Sequence, residues 1–134
     1  MACVDGSEVS RRAADFSIAL AKKLESKVIF VNVVGASTSE REYNISADMV
    51  GSFERLGVEA LTKCEGKARE NGVRFEIKQL SGDPADEIVR YASESKCDCV
   101  VLGKVGMSKI ERILLGSVSE QVLNKATVPV IIVR

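Results

Sequence analysis

The chain has 134 residues, of which 46% are hydrophobic and 28% charged, the proportions of one soluble globular domain. Nineteen basic residues balance nineteen acidic ones, which argues against a nucleic-acid binder. There is no histidine and no tryptophan. Ser-His and Cys-His nucleophile pairs, histidine bases and imidazole metal ligands are therefore excluded, and no stacking platform for single-stranded nucleic acid is expected.

A short apolar start ends at Val4. From Ser7 to Leu24 the apolar positions Val9, Ala13, Phe16, Leu20 and Leu24 recur at helical spacing, with Ser7 as N-cap. Residues 28–34 are rich in β-branched side chains and almost continuously apolar, as in a strand covered on both faces. Residues 35–48 are small and polar and read as a loop. Met49, Phe53, Leu56, Ala60 and Cys64 mark a long helix, with Leu61 and Ala68 beside that stripe and Asn71-Gly72 as its stop.

Residues 73–78 alternate apolar and charged, which wets one face and places this strand at a sheet edge. Asp83 and Pro84 supply the cap and first position of a third helix with Ala85, Ile88, Val89 and Ala92 inward. Residues 99–102 form a short buried strand ending at Gly103. A loop follows to about Ser108, then the apolar Ile110, Ile113, Leu114 and Leu115. Ser117 and Glu120 have the S-x-x-E spacing of a capping box and open a last helix with Val118, Val122 and Leu123 inward. Residues 128–133 close the chain as a strand, with Pro129 tolerated near its start. The alternation predicts an α/β fold: a single domain over 1–134, an open five-stranded parallel sheet with helices on both faces.

No apolar run approaches the ~18 residues of a membrane span, and the first residues do not read as a signal peptide. Cys3, Cys64, Cys97 and Cys99 then read as reduced thiols of a cytoplasmic protein. The C-x-C at Cys97 and Cys99 fits no common zinc pattern. In a strand both would share one face, in the core.

In an open α/β sheet ligands sit beyond the carboxyl ends of the strands, at the switch point. The loop after the first strand carries Asp5-Gly6-Ser7. The loop after the fourth carries Gly103-Lys104-Val105-Gly106, and ten residues on comes Gly116-Ser117-Val118. Together these form G-x2-G-x9-G-S. Gly103 and Gly106 allow close backbone approach to a ligand. Gly116-Ser117 sits at a helix start, where free N–H groups and the dipole attract anions. The plain alternative is that the glycines are turns and Ser117 a cap.

From Gly103 to Val133 the chain resembles the universal stress protein family, whose nucleotide-binding subgroup carries G-x2-G-x9-G-S/T. Val4-Asp5-Gly6-Ser7-Glu8, Gly82-Asp83-Pro84-Ala85 and Val128-Pro129-Val130 agree with it. The resemblance implies the strand order 3-2-1-4-5 and a site for ATP or another adenine nucleotide, with Mg²⁺ a candidate companion of the phosphates. It places Val4 and Asp5 near adenine and ribose, and Val33 where its backbone meets adenine. Leu102 and Gly103 would line the ribose and phosphate region, with Lys104 and Gly106 beside the phosphates. Gly116, Ser117 and Val118 would hold phosphate oxygens.

Two departures from the family pattern stand out. Lys104 and Val105 lie between the first two glycines, where serine and then arginine or histidine is common in the family. Lys104, or Lys109 or Arg112 further on, offers charge to a phosphate, with a solvated lysine as the alternative. Only Met1 to Val4 precede Asp5, so either the central strand is unusually short or residues ahead of Met1 are missing from this chain. A carboxylate beside phosphates is repulsive unless a divalent cation bridges them, so ribose is the expected partner of Asp5. Its alternative role is a helix cap.

Three functional readings follow. The first is a nucleotide-binding stress or signalling protein acting as a dimeric sensor or switch. The second is a slow ATPase or autophosphorylating protein, with Asp5, Glu111 or Asp83 as carboxylate and Ser117 or Ser119 as acceptor. It lacks a P-loop and a histidine base. The third is a dimeric interaction module that binds no nucleotide. For both the first and third, the apolar last strand, through Val128, Val130 and Ile132, is the expected homodimer edge. A receiver domain would need an acidic cluster after strand one and an aspartate after strand three, and is set aside.

Overall fold

The apolar run near residue 30 becomes β2 (Lys27–Val34), a strand buried almost throughout because the sheet is covered on both faces. The structure, a computed structural model, describes residues 1–35, 47–106 and 115–134, with the backbone alone for 47–50 and Phe53. β2 pairs in parallel with β1 (Ala2–Cys3) on one side and with β3 (Arg74–Ser81) on the other. β1 also pairs with β4 (Val100–Gly103), and β4 with β5 (Val130–Val133), giving the order β3-β2-β1-β4-β5. This is the all-parallel order expected above, with β3 at one edge and β5 at the other.

β1 spans only Ala2–Cys3, yet backbone groups around it are paired beyond those two residues. Val4 donates to the carbonyl of Val31 at 2.8 Å, extending the ladder one bond past Cys3. Val101 donates to Met1 at 2.8 Å, and the Met1 nitrogen to Cys99 at 2.8 Å.

Helices α1 (Glu8–Lys23) and α2 (Ala47–Glu70) cover one face, closing over Ala2, Val4, Val28 and Phe30. Helices α3 (Pro84–Glu94) and α4 (Ser117–Lys125) cover the other, over Cys3, Ile29, Val31, Val100 and Leu102. Asp83 caps α3 as expected, its carboxylate accepting from the N–H groups of Ala85 and Asp86, and Pro84 opens the helix.

The predicted stripe of α1 is rotated. Phe16 is 43% exposed and Leu24 66%, while Ala13, Ala14, Ser17, Ile18 and Ala21 are buried. Small side chains bring the helix axis close to the sheet, so the larger residues are left at the flank. In α4, Val122 is buried and Val118 packs on the core, but Leu123 is 47% exposed. In α2, Ala60, Leu61, Cys64 and Ala68 are buried and Leu56 is exposed; the Met49 and Phe53 side chains lie outside the described residues. Cys97 and Cys99 are not in a strand: they are half-buried in the connection from α3 to β4.

Candidate functional site

β1 and β4 are neighbours at the centre of the sheet, and the chain leaves them toward opposite faces. β1 leads into α1, while β4 leads toward α4. Their carboxyl ends are thus the switch point, with a crevice between diverging connections.

The β1 end is held by a tight polar corner. The Asp5 carboxylate accepts from the N–H of Ser7 at 2.9 Å, and the Asp5 N–H donates to the Ser10 hydroxyl at 3.3 Å. Gly6, at φ +89°, supplies the left-handed turn. Ser7 is the cap of α1, its hydroxyl accepting from Ser10 N–H at 3.1 Å. Asp5 therefore fixes the turn before the helix and is not the cap. Its second oxygen points toward the glycine loop: a Cβ on Gly106 would stand 2.7 Å from Asp5 Oδ2.

The β4 end is equally built. Gly103 is buried beneath the first turn of α1, where a Cβ would meet Val9 and Ser10 backbone at 3.1 Å. Its carbonyl accepts from the buried Ser119 hydroxyl at 2.8 Å. Lys104 donates to Val133 at 2.7 Å, and its carbonyl accepts from Gly116 N–H at 2.8 Å. A Cβ on Gly116 would lie 3.2 Å from Val105 Cα. The 103–106 loop thus touches Asp5 on one side and the start of α4 on the other.

Gly116, not Ser117, is the N-cap of α4, and no side chain caps it. The S-x-x-E spacing therefore does not make a capping box: Ser117 is already the first helical residue, and it is exposed. The positive end of the α4 dipole is left for another acceptor. Val4 and Leu102 put their side chains into the two cores and offer the site only backbone. Val33 is half-buried at the end of β2. Lys109, Glu111 and Arg112 lie outside the described residues.

Other candidate chemistry is spent on structure. Asp83 is buried as the α3 cap, and Ser119 is buried on Gly103. Among the described residues no cluster of three or more Cys, Asp or Glu could hold a metal. Burial pushes the Cys3 thiol up to about 12 and the Cys64 thiol up to about 11, and raises Cys97 as well. These are packing thiols rather than nucleophiles.

The residue that the sequence reading missed is Asn32. It is buried in β2, its amide donating to the Val4 carbonyl at 2.8 Å and its oxygen accepting from Gln79 at 3.2 Å. The available signal was one amide inside an otherwise apolar strand.

The model of the universal stress protein family matches residues 1–134. The chain belongs to this family. A universal stress protein of Methanocaldococcus jannaschii is 38% identical over 135 residues, covering 97% of this chain and 78% of that one. Universal stress protein YxiE of Bacillus subtilis is 31% identical over 144 residues, covering 100% and 97%. Universal stress protein UspA of Lactobacillus plantarum shares the fold, with a TM-score of 0.83 at 19% identity over 99% and 94% of the two chains. A universal stress protein solved in complex with cAMP gives 0.74 at 29% identity, covering 98% and 93%. One from Archaeoglobus fulgidus in complex with dAMP gives 0.71 at 24%, covering 98% and 94%.

Proposed function

We propose that this universal stress protein binds an adenine nucleotide, ATP or a shorter one, across the carboxyl edge of its sheet, and works as a dimeric cytoplasmic sensor or switch. The observation that carries this reading is the closure of the 103–106 loop onto Gly116 and Asp5. It converts a spacing of glycines into a cradle. Phosphate oxygens would take the N–H groups of Ser117 and Val118 and the Ser117 hydroxyl at the uncapped start of α4. Gly106 would let phosphate approach the loop, with Lys104 adding charge. Asp5, its outer oxygen beside Gly106, would accept from a ribose hydroxyl. The backbone of Leu102 and Gly103 would floor the ribose, and that of Val33 would meet adenine. A divalent cation such as Mg²⁺ would enter with a polyphosphate, which needs no protein cage for it. The relative solved with cAMP supports an adenine nucleotide as the ligand class.

The role is binding rather than turnover. The chain has no histidine base, and the carboxylate nearest the loop is already engaged by Ser7. Calorimetric titration with AMP and ATP tests the reading. Saturable binding that is lost on Ser117→Ala with Gly116→Val is expected. No heat at millimolar nucleotide overturns it.

A second reading, the interaction module, has its own observation. Val100 donates to Pro129 at 2.9 Å and Lys104 to Val133 at 2.7 Å. Odd-numbered residues of β5 therefore turn their backbone toward β4, and Val130 and Ile132 turn theirs outward from the sheet edge. Val128, Val130 and Ile132 rest their side chains on the α3/α4 core, and β5 is the last strand of the sheet. An open apolar edge of this kind pairs with a second copy. It serves both readings, so dimerisation alone does not decide between them.

A further inference from the structure

In a parallel ladder with Cys3 opposite Val31, the next two bonds would run from Val4 N–H to Val31 and from Val33 N–H to Val4. The first is present at 2.8 Å. For the second, the Val4 carbonyl instead accepts from the side-chain amide of Asn32 at 2.8 Å. Among the described residues no hydrogen bond from the Val33 N–H is found. The register turns this N–H toward the β1 side, at the mouth of the crevice.

The amide is held from three directions. Its oxygen accepts from Gln79 of β3, whose nitrogen also reaches the Glu54 carbonyl of α2 at 3.4 Å. Above it sits Gly57 of α2, buried, where a Cβ would stand 2.1 Å from Asn32 Oδ1. Glycine inside a helix is unfavourable relative to alanine. Its presence here is explained by the room that Asn32 needs.

We infer that Asn32 is a positioning residue for the ligand site, substituting for the ladder at the point where β1 and β2 part. By taking the Val4 carbonyl it holds in place the corner that carries Asp5. The inference rests on the adenine-nucleotide reading for the ligand. The hydrogen bonds that carry it are present without ligand.

The test is the pair Asn32→Ala with Gly57→Ala, in which the new methyl of residue 57 occupies the space the amide vacates. Two readouts are taken on the full chain. In the ligand-free protein, amide exchange at Ser7, which donates to Asp5, should speed at least tenfold while Ile29 in mid-strand is unchanged. In titrations, AMP affinity should fall about tenfold, the size of one misplaced hydrogen bond, and 2′,3′-dideoxy-AMP affinity less than threefold. The variant would thus lose preference for the ribose hydroxyls, which a general loosening would not produce.

Unchanged exchange at Ser7 overturns the inference whatever binds. Equal losses for both nucleotides overturn it as well and leave the nucleotide reading standing. Faster exchange at Ser7 in a chain whose parent binds no adenine nucleotide supports the role of Asn32 and removes the nucleotide reading. Should the double variant fail to fold, Asn32→Asp, which keeps shape and loses the donor, is judged by the same two readouts.

Discussion

Ser119 and Gly103 are sixteen residues apart and joined by one buried hydrogen bond, hydroxyl to carbonyl at 2.8 Å. Through it helix α4 grips the last residue of β4, so the two halves of the glycine motif are fastened from beneath. Ser117, two residues earlier, is exposed and has no such partner among the described residues. The two serines should separate cleanly. Ser119→Ala leaves a buried carbonyl unpaired and should lower stability by about 1–3 kcal/mol in urea denaturation. Ser117→Ala should change stability by less than about 0.5 kcal/mol. It should weaken AMP by about tenfold, as one phosphate hydrogen bond is lost. Ser119→Ala matching Ser117→Ala in stability would show that the buried bond does not matter.

Gly106 and Gly35 make a second contrasting pair. Among the described residues a Cβ on Gly106 meets only the Asp5 carboxylate, its outer oxygen at 2.7 Å, a side-chain group that can swing away. A Cβ on Gly35 would stand 2.0 Å from the Gly82 carbonyl, where Gly82 also donates to Val34 at 3.0 Å and ties the ends of β2 and β3 together. Gly106→Ala should therefore fold, with a stability change under about 1 kcal/mol, and bind AMP at least ~10-fold more weakly because Asp5 is displaced. Gly35→Ala should lose more than about 3 kcal/mol or fail to fold. Melting curves and titrations of the two variants check both halves. A Gly106→Ala chain with parental affinity would remove Asp5 and the loop from the site.

The architecture was legible because its signals are local. Asp83-Pro84 announces the start of α3, and an unbroken apolar run announces a buried strand. Of the candidate site the glycine spacing was legible, and in the fold it becomes contact between Lys104, Gly106 and Gly116. What escaped was whatever depends on distant partners. The S-x-x-E spacing points to Ser117 as the cap of α4, yet the backbone turns helical one residue early, so Gly116 is the N-cap and Ser117 lies inside the helix. The buried face of α1 was misjudged because apolar periodicity weights Phe16 and Leu24 over Ala13, Ala14 and Ser17. Proximity to the sheet, invisible in sequence, favours the small residues. Asn32 was passed over because its meaning lies in Val4, Gln79 and Gly57, which meet only in the fold.

The thiols predict a pH dependence of stability. Burial holds Cys3 protonated up to about 12 and Cys64 up to about 11, against an ordinary thiol near 9.0 in the unfolded chain. Between about pH 9 and 12 the unfolded chain has lost protons that the folded chain keeps. Stability therefore falls as pH rises through that window, by up to ~1.4 kcal/mol per pH unit for Cys3, and these groups contribute no slope below it. Urea midpoints at pH 8, 10 and 11 should decline in the parent and decline less in Cys3→Ala with Cys64→Ala. Equal declines would assign the alkaline loss to other groups.

The outward backbone of β5 makes the dimer testable one atom at a time. Ile132 turns its N–H away from β4, whereas Ile131 spends its backbone on the β4 ladder opposite Val101. Proline at Ile132 removes an outward donor and leaves the ladder whole, which edge strands tolerate. Its cost is the lost side-chain packing, about 1–2 kcal/mol. Proline at Ile131 removes a ladder bond and should cost about 3 kcal/mol or more. Light scattering of the parent should give about twice the chain mass of 14.5 kDa, and Ile132→Pro should return a folded species near 14.5 kDa. Ile131→Pro should lose folded circular dichroism before it changes mass. A parent already at the monomer mass removes the dimer. A dimeric Ile132→Pro moves the interface away from the β5 edge, toward the exposed flank of α1 at Phe16 or of α4 at Leu123.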